Sequence, residues 1–373
     1  MACRGIDEQV VRHDKKIGQL TEQFVTVRLI QGNGLDLSLF QFDYDLTFAV
    51  FFLNADKTIY GRYGTRSDTK EADRDISVDS LAKAMEAALT LHQVYPANRA
   101  ALTGKNASKP KYPTPEKFPS LSGKYTSVLD NSGKNIVSSC IHCHQIRDAD
   151  RQTYRAAGKP MPDEVLFPYP LPQAIGLKLD PKEKAKVTAV SPGTIASRAG
   201  IRVGDEIASL QGQPIISIAD VQWVLHHAGS TDTLRAEIFR GAKLIPITVT
   251  LPPGWRKKSD ISWRVSSWNL RRMAFGGMLL GELEDAERRK LNIASDKIAL
   301  LAKHVGQYGE HAQAKRAGFR KGDIIVAVEG RTDKLSETQL FEFQLNEKKP
   351  GTKVPVTVLR DRKRLDMQIP TQK

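Results

Sequence analysis

One stretch of the chain occurs twice: SRAGIRVGDEI at residues 197–207 returns as KRAGFRKGDII at residues 315–325, which is 118 residues later (315 − 197). After each copy the sequence predicts a strand ending in glycine, a polar turn, an amphipathic helix and a closing hairpin. The hairpins are predicted over 234–251 and 354–369. Because a segment repeated at a fixed distance indicates a duplicated structural unit, the C-terminal half holds two copies of one fold.

Composition places the whole chain among ordinary globular proteins. Its 373 residues predict two to three domains, and the 40% apolar and 26% charged content does not favour long disorder. Lys and Arg exceed Asp and Glu by 56 to 42, a net charge of +14, but the basic residues are dispersed and read mostly as solvated surface. Three cysteines exclude a disulfide scaffold, and no apolar run approaches the about 20 residues of a transmembrane helix.

The N-terminal part, residues 1–104, alternates predicted helices and strands. The pattern predicts a helix over 4–23, a strand over 24–30, a buried strand over 46–53, an antiparallel strand over 57–62 and a helix over 80–92. This order resembles the second part of a thioredoxin fold. In that family a Cys-x-x-Cys pair opens the helix that here follows Cys3, so the resemblance implies that Cys3 is the resolving cysteine.

The resemblance also implies that residues are missing before Met1. The first nucleophile, Cys or selenocysteine, would directly precede Met1, and a signal peptide would lie further upstream. An inert Cys3 in a degenerate module is the alternative. The cis-proline of thioredoxins is replaced by Leu46, which puts substrate docking there in doubt.

The densest chemistry lies in a proline-rich segment, residues 105–173, which is expected to have little regular structure. Here CIHCH at residues 140–144 matches the C-x-x-C-H attachment site of c-type haem, with Cys140 and Cys143 as thioether donors and His144 as iron ligand. A structural zinc site with further ligands and a reactive dithiol pair are the alternatives.

A haem would need a sixth ligand. Met161, in KPMP at residues 159–162, resembles the Met-Pro element that carries the distal sulfur in many c-type cytochromes, although it follows His144 by only 17 residues. A turn methionine packed by two prolines is the alternative, in which case the distal ligand could be His92, His226, His304 or His311. Haem attachment outside the cytoplasm predicts a periplasmic or otherwise exported protein, whereas a complete chain without a signal peptide would be cytoplasmic.

Each C-terminal copy resembles a PDZ domain of the bacterial periplasmic type, a partly open β-barrel with two helices, over residues 174–252 and 275–373. In that family a glycine-containing loop binds a peptide's terminal carboxylate, and the peptide adds as a strand beside a helix. The helices are predicted over 218–227 and about 337–345. The resemblance implies peptide contacts from Ile175, Gly176, Leu177, Val221 and Leu225 in the first copy, and from Phe275, Gly276, Gly277 and Met278 in the second.

A Trp- and Arg-rich connector, residues 253–274, joins the two copies. Alternating apolar residues over 261–265 predict a strand packed between them, rather than a nucleic-acid surface. Proteases of this architecture place a serine protease domain before PDZ. Since neither Gly-x-Ser-x-Gly nor Gly-Asn-Ser-Gly-Gly occurs, the sequence predicts that the chain is not a protease.

Taken together, these motifs resemble a planctomycete family of thioredoxin-like, PDZ-containing (seleno)proteins. The predicted fold class is α/β plus α+β in several domains. The first functional hypothesis is an exported redox or electron-transfer protein, a possible thiol-disulfide oxidoreductase with haem c, which docks protein or peptide C-termini through its PDZ domains. The alternative is a non-catalytic peptide-binding PDZ scaffold with a structural zinc site.

Overall fold

The structure is a computed structural model that describes residues 15–46, 48–67, 75–129 and 136–373. It divides into two compact units. The first comprises the described residues up to Ile146 together with Phe167–Ser259, and the second comprises Arg147–Leu166 together with Asp260–Lys373. Across the described ranges, no helix is both long enough and apolar enough to cross a membrane.

The helices are numbered in chain order. They are α1 Lys15–Thr21, α2 Val78–Gln93, α3 Arg99–Leu102, α4 Ile136–Ser139, α5 Cys143–Ala156, α6 Asp163–Leu166, α7 Ile195–Arg198, α8 Ile218–His227, α9 Ser267–Phe275, α10 Asp285–Lys290, α11 Gln313–Arg316 and α12 Glu337–Glu347. Short 3-10 turns occupy Thr103–Lys105, Pro115–Lys117, Pro172–Ile175, Trp255–Lys258 and Gly309–Ala312.

The strands form four antiparallel sheets. They are β1 Val50–Leu53, β2 Ile59–Tyr63, β3 Leu177–Leu179, β4 Val187–Val190, β5 Glu206–Leu210, β6 Gln213–Pro214, β7 Asp232–Arg240, β8 Lys243–Leu251, β9 Met278–Glu282, β10 Leu300–Val305, β11 Ile324–Val328, β12 Lys353–Arg360 and β13 Lys363–Pro370. The sheets run β1-β2, β3-β4, β6-β5-β7-β8 and β13-β12-β11-β10-β9.

The N-terminal part of the first unit is built on α2 and the β1-β2 hairpin. A capping box between Ser77 and Ser80 starts α2, and its inner face buries Leu81, Met85 and Ala88. The helix predicted over 80–92 is therefore confirmed, and the predicted antiparallel strand over 57–62 forms as β2.

The strand predicted over 24–30 does not form. Val25 is 96% exposed and Val27 is 80% exposed, and the structure assigns no strand there. β-branched residues favour a strand only where a neighbouring strand supplies hydrogen bonds and packing, and the described residues place none beside this segment. The buried strand predicted over 46–53 shortens to β1 over its last four residues.

The first C-terminal copy folds as predicted, with β3 to β8 around α7 and α8. Helix α8 begins at Ile218 and ends at His227, as the sequence predicts, and Ser217 caps it by accepting the amide of Ala219. The predicted hairpin over 234–251 forms as β7-β8. Ile238 on its inner face shares a core with Trp223 and Leu225 of α8, and all three are at most 1% exposed.

The second copy repeats this arrangement in one five-stranded sheet. Its helix α12 carries a capping box between Ser336 and Gln339, and its hairpin forms as β12-β13. Helix α10 lies between β9 and β10, where the first copy has no helix between β3 and β4, which explains why this copy is longer.

The duplicated motif has a shared structural reason. Asp205 is 1% exposed and receives both Nε and Nη2 of Arg240 at 2.8 and 2.9 Å, while Arg240 also donates to the Gly200 carbonyl. In the second copy Asp323 receives both nitrogens of Arg360 at 2.6 and 2.7 Å. Each pair ties the turn after the Arg-Ala-Gly motif to its closing hairpin.

Two predictions for the irregular segments are wrong. The connector forms a 3-10 turn at Trp255–Lys258 and helix α9 instead of a strand. The proline-rich segment holds the 14-residue helix α5, which contains no proline. In its second half Arg151 is fully buried and donates to the carbonyls of Val165 and Leu166, so the helix is fixed by tertiary hydrogen bonds.

Candidate functional site

The first candidate site is the open side of β3. The 3-10 turn Pro172–Ile175 leads into Gly176, which has a φ of +87° in the left-handed region, and β3 starts at the next residue. A side chain at Gly176 would collide with Thr194, so both the backbone conformation and the space favour glycine. The loop predicted to bind a carboxylate thus ends in a left-handed glycine turn that leads directly into β3.

Strand β3 has a strand on one side only. The Gly176 carbonyl accepts the amide of Ser191 at 2.9 Å, and the Asp180 amide donates to Lys186 at 2.8 Å, so these residues face β4. Alternation along a strand then turns the amides of Leu177 and Leu179 to the opposite edge. Within the described ranges no strand pairs with that edge.

The apolar residues predicted to bind a peptide come together behind this edge. Ile175, Leu177, Val221 and Leu225 line one small apolar cavity between β3, α8 and the β7-β8 hairpin. Each is less than 5% exposed, so they are primarily core residues that shape the cavity. The sequence identified these four residues correctly as one cluster, and their contact with a peptide stays a prediction.

Sequence reasoning missed the polar neighbours of α8. Gln222 is 3% exposed, accepts the Thr65 hydroxyl at 2.6 Å and donates to the Tyr169 carbonyl at 3.2 Å. A shallow cleft beside it is lined by Thr65, Pro181 and Ile218, among others. The N-terminal part of the unit therefore borders this end of the cleft. A buried glutamine in an amphipathic helix was the available signal.

In the second copy the predicted loop residues also occupy a helix-to-strand turn. Phe275 ends α9 and is fully buried, Gly276 and Gly277 have φ values of +60° and +92°, and Met278 begins β9. A side chain at Gly277 would lie 2.0 Å from the His311 carbonyl oxygen, so this position requires glycine.

Glu337, at the start of α12, was not predicted as a site residue. It is 4% exposed and accepts both Nε and Nη2 of Arg271, at 2.9 and 2.6 Å, and the amide of Leu280 at 2.8 Å. Burial raises the pKa of Glu337, against the opposing effect of Arg271 and of the Leu280 amide. An acidic residue directly after the capping Ser336 was the available sequence signal.

The CIHCH motif lies in the first unit, at the start of α5. Cys140 and Cys143 are separate, half-buried thiols with no disulfide between them. The rings of His142 and His144 stack with centroids 5.8 Å apart. Burial lowers the pKa of His144 and the neighbouring His142 lowers it further, while Asp45 acts in the opposite direction.

The structure does not bring Cys3 or Met161 to this motif within one described unit. Cys3 lies outside the described residues. Met161 belongs to the second unit, where it is 2% exposed and its amide donates to Asn346 at 2.8 Å. In the described part of the chain no three His, Cys, Asp or Glu side chains are placed to hold a metal ion. Haem or zinc at residues 140–144 stays a prediction.

Comparison with known proteins identifies the two C-terminal copies. Protein-family models described as PDZ domains match residues 186–235 and residues 310–371. The PDZ resemblance drawn from the repeated motif is therefore confirmed for both copies.

Curated relatives belong to one group of bacterial proteins. The chain is 25% identical over 182 residues to a probable periplasmic serine endoprotease DegP-like of Marinomonas sp. (strain MWYL1), covering 49% of this chain and 36% of the relative. It is 24% identical over 200 residues to periplasmic serine endoprotease DegP of Salmonella typhimurium, covering 54% and 35%. A third, putative serine protease HhoA of Synechocystis sp., is 41% identical over 63 residues, covering 17% and 16%. The chain thus spans about a third or less of the length of these relatives.

Solved structures with a local likeness include the HtrA3 PDZ domain bound to a phage-derived ligand, at 22% identity and a TM-score of 0.18, covering 20% of this chain and 81% of that one. Another is the HtrA-type protease AlgW with a decapeptide, at 14% identity and a TM-score of 0.24, covering 38% and 49%.

These matches correct several predictions. The assignment to a planctomycete thioredoxin-like (seleno)protein family is wrong, since the relatives are HtrA/DegP proteins and no comparison or described element shows a thioredoxin-like domain. The description as a redox protein finds no support in them. The prediction that the chain is not a protease is contradicted, because the relatives are named serine endoproteases. The chain carries two PDZ domains and is homologous to members of the HtrA/DegP serine protease family.

Proposed function

We propose that the chain captures the C-terminal ends of proteins or peptides in its first PDZ domain, by strand addition to β3. The observation that carries this proposal is the edge of β3 directly after the left-handed Gly176, with which no strand of the described residues pairs. An extended peptide laid along this edge would receive main-chain hydrogen bonds from Leu177 and Leu179.

The surroundings of β3 favour an apolar ligand end. The cavity behind the edge is lined by aliphatic side chains, with Ile175 and Leu177 on the strand side and Val221 and Leu225 on the helix side. A terminal apolar side chain that packs against these residues loses water-exposed surface, at roughly 25 cal/mol per Å² of apolar area. The terminal carboxylate would lie at the glycine turn that precedes β3.

The ligand segment should be short. β3 has only three residues, and the turn that follows it is held by the N-terminal part of the same unit: Ser77 donates to the Pro181 carbonyl, and Lys83 pairs with Glu183 at 2.6 Å. On the side of α8, Thr65 borders the opening and donates a hydrogen bond to Gln222. Because a three-residue strand can pair with only about two to four residues of an added strand, a chain end fits this opening better than an internal loop.

Fluorescence anisotropy tests this proposal with a labelled decapeptide that ends in valine and a free carboxylate. Amidation of its C-terminus should weaken binding about tenfold or more, because a charge-assisted contact is lost. N-methylation of the peptide amide that faces β3 should weaken binding, whereas methylation of the next amide should not.

Two glutamate variants of the protein, one beside the opening and one away from it, provide a test and its control. Ile218→Glu places a charge beside the opening and should weaken binding, whereas Val203→Glu changes a residue that is 65% exposed on a loop and should not. Absence of binding, or equal binding of the acid, the amide and both methylated peptides, would overturn the proposal.

We also propose that the protein works outside the cytoplasm, because relatives that match half of the chain are named periplasmic. Fractionation of the native cells with an antibody against the chain should recover it with periplasmic markers. Recovery with cytoplasmic markers would reject this placement.

A further inference from the structure

The second PDZ domain differs from the first in one amide of the strand to which a peptide would add. Helix α9, from the connector, packs on α12 and beside β9 within the second unit. The rings of Phe275 and Phe341 stack with centroids 4.6 Å apart, and the Ile261 amide donates to the Thr338 hydroxyl at 3.1 Å. The connector therefore covers the helix that should flank a bound peptide.

The equivalence of the two domains follows from matching hydrogen bonds. The Gly277 carbonyl accepts the Gly306 amide at 3.0 Å, as the Gly176 carbonyl accepts that of Ser191. Counting from these glycines, Leu280 corresponds to Leu179. Both lie on the edge of the strand that faces away from its partner strand.

At this edge the first domain has an amide available to a peptide, that of Leu179, whereas the equivalent amide of the second domain is already hydrogen-bonded within the protein. The Leu280 amide donates to Glu337 at 2.8 Å. Counting from the capping serines Ser217 and Ser336, Glu337 corresponds to Ile218. The side chain of Ile218 has no atom that could accept a hydrogen bond from an amide.

The acceptor is itself fixed. Arg271 of α9 gives Glu337 a bidentate ion pair, with both side chains 3% exposed, and also donates to the Ser262 carbonyl at 2.7 Å. A buried, fully hydrogen-bonded pair of this kind is costly to open, because each partner would be left without its counter-charge. The arrangement joins α9, α12 and β9 by one carboxylate.

We infer that Arg271 and Glu337 form an internal latch that closes the second PDZ domain: Glu337 takes the β9 amide that an incoming strand would need, and α9 lies over the flanking helix. Strand addition is then confined to the first domain while the latch is closed. This inference rests on the proposed function for its biological meaning, but the closed state of β9 can be measured without any ligand.

Amide hydrogen exchange of the full chain, followed by NMR, tests the latch directly. In the ligand-free protein the Leu280 amide should exchange about tenfold or more slowly than the Leu179 amide. In the double variant Arg271→Met with Glu337→Ile, an apolar pair replaces the ion pair and keeps the volume, so the fold is retained and Leu280 exchange accelerates toward that of Leu179. Equal exchange of the two amides in the wild type, or unchanged protection in the variant, would overturn the latch.

Peptide binding provides the second measurement, with the labelled decapeptide described above. In the wild type it should protect residues 177–179 and leave residues 278–282 unchanged. The variant Arg271→Ala with Glu337→Ala, which also vacates space, should raise the stoichiometry from one to two. Arg316→Ala is the matched control, since Arg316 is an exposed arginine of α11. Protection of 278–282 in the wild type, or a stoichiometry of one in the folded variant, would overturn the inference.

If no peptide binds either domain, the proposed function fails, while the exchange contrast between Leu179 and Leu280 still decides whether the latch exists.

Discussion

The Nζ atom of Lys105 lies 2.8 Å from Oδ2 of Asp220, and both side chains are at most 1% exposed. Asp220 is the third residue of α8 and also accepts the amides of Arg62 and Ile216, each at 3.1 Å. The guanidinium of Arg62 stacks 3.5 Å from the ring centroid of Trp223, on the same helix. A buried ion pair thus fixes the peptide-flanking helix of the first PDZ domain to the N-terminal part of its unit.

Removing one partner of this pair should destabilise the protein. Burial lowers the pKa of Lys105 and Asp220 opposes that effect, so the ammonium depends on its partner. Lys105→Met should lower the free energy of unfolding by about 3 kcal/mol, because Asp220 is left as an uncompensated buried charge. The double variant with Asp220→Asn should recover most of this loss. Urea denaturation measures both, and equal losses in the single and double variants would contradict the prediction.

The repeated Asp-Arg pair should govern stability in acid. Burial raises the pKa of Asp205, but the hydrogen bonds from Arg240 and from the Arg202 amide outweigh it and hold the pKa below the ordinary 3.8. A carboxylate with a depressed folded pKa contributes stability above its unfolded pKa, and this contribution is lost as the pH falls through the folded pKa. Arg240→Gln should therefore cost stability at pH 7, and cost progressively less below about pH 4.

Thermal unfolding of wild type and Arg240→Gln from pH 2.5 to 7 measures this convergence. Arg316→Gln, at an exposed position, is the control that should leave the curve unchanged. A difference between wild type and Arg240→Gln that stays constant over the whole range would show that the ion pair is not its origin.

Asn33 should control the loop that carries Cys140. Its amide group donates to the carbonyls of Thr126 and Ser139 at 2.8 and 2.9 Å, and its oxygen accepts the Ile141 amide at 2.7 Å. Asn33→Asp keeps the acceptor but sets a carboxylate against two carbonyls, so we expect a loss of about 2–3 kcal/mol and faster thiol labelling of Cys140.

Urea denaturation and the rate of reaction with a thiol reagent are the measurements for Asn33→Asp. Asn106→Asp, at an exposed asparagine, introduces the same charge as a control. If both variants label at the wild-type rate, the three hydrogen bonds do not restrain the loop.

His144 should make the first unit less stable in mild acid. Burial and the neighbouring His142 lower its pKa below 6.5, so between the folded and unfolded pKa values the unfolded chain binds more protons. Stability therefore falls as the pH drops through 6.5 toward the folded pKa. His144→Gln should reduce the loss between pH 7.5 and 5.0, and His142→Gln should reduce it less. Chemical denaturation at both pH values decides this, and an unchanged loss in His144→Gln would refute it.

Much of the PDZ architecture was predictable from local sequence. The repeated Arg-Ala-Gly and Gly-Asp residues, the capping serine before Ile218 and the alternation along the hairpins act within short stretches of chain, so spacing alone predicts α8 and both hairpins. The same method wrongly predicted a strand over 24–30, because a strand depends on a partner that local sequence does not specify.

The repeated motif alone shows that the chain holds two copies of one PDZ fold, and local sequence also locates the glycine turns and the aliphatic cluster, since backbone conformation and hydrophobic spacing are local properties. The differences between the two copies arise from contacts between residues that are distant in sequence. Glu337 lies 66 residues after Arg271 (337 − 271) and 57 after Leu280 (337 − 280), and Lys105 lies 115 residues (220 − 105) before Asp220. Such charges are stable in the interior only when folding brings their partners within hydrogen-bond distance, and no local pattern encodes that pairing.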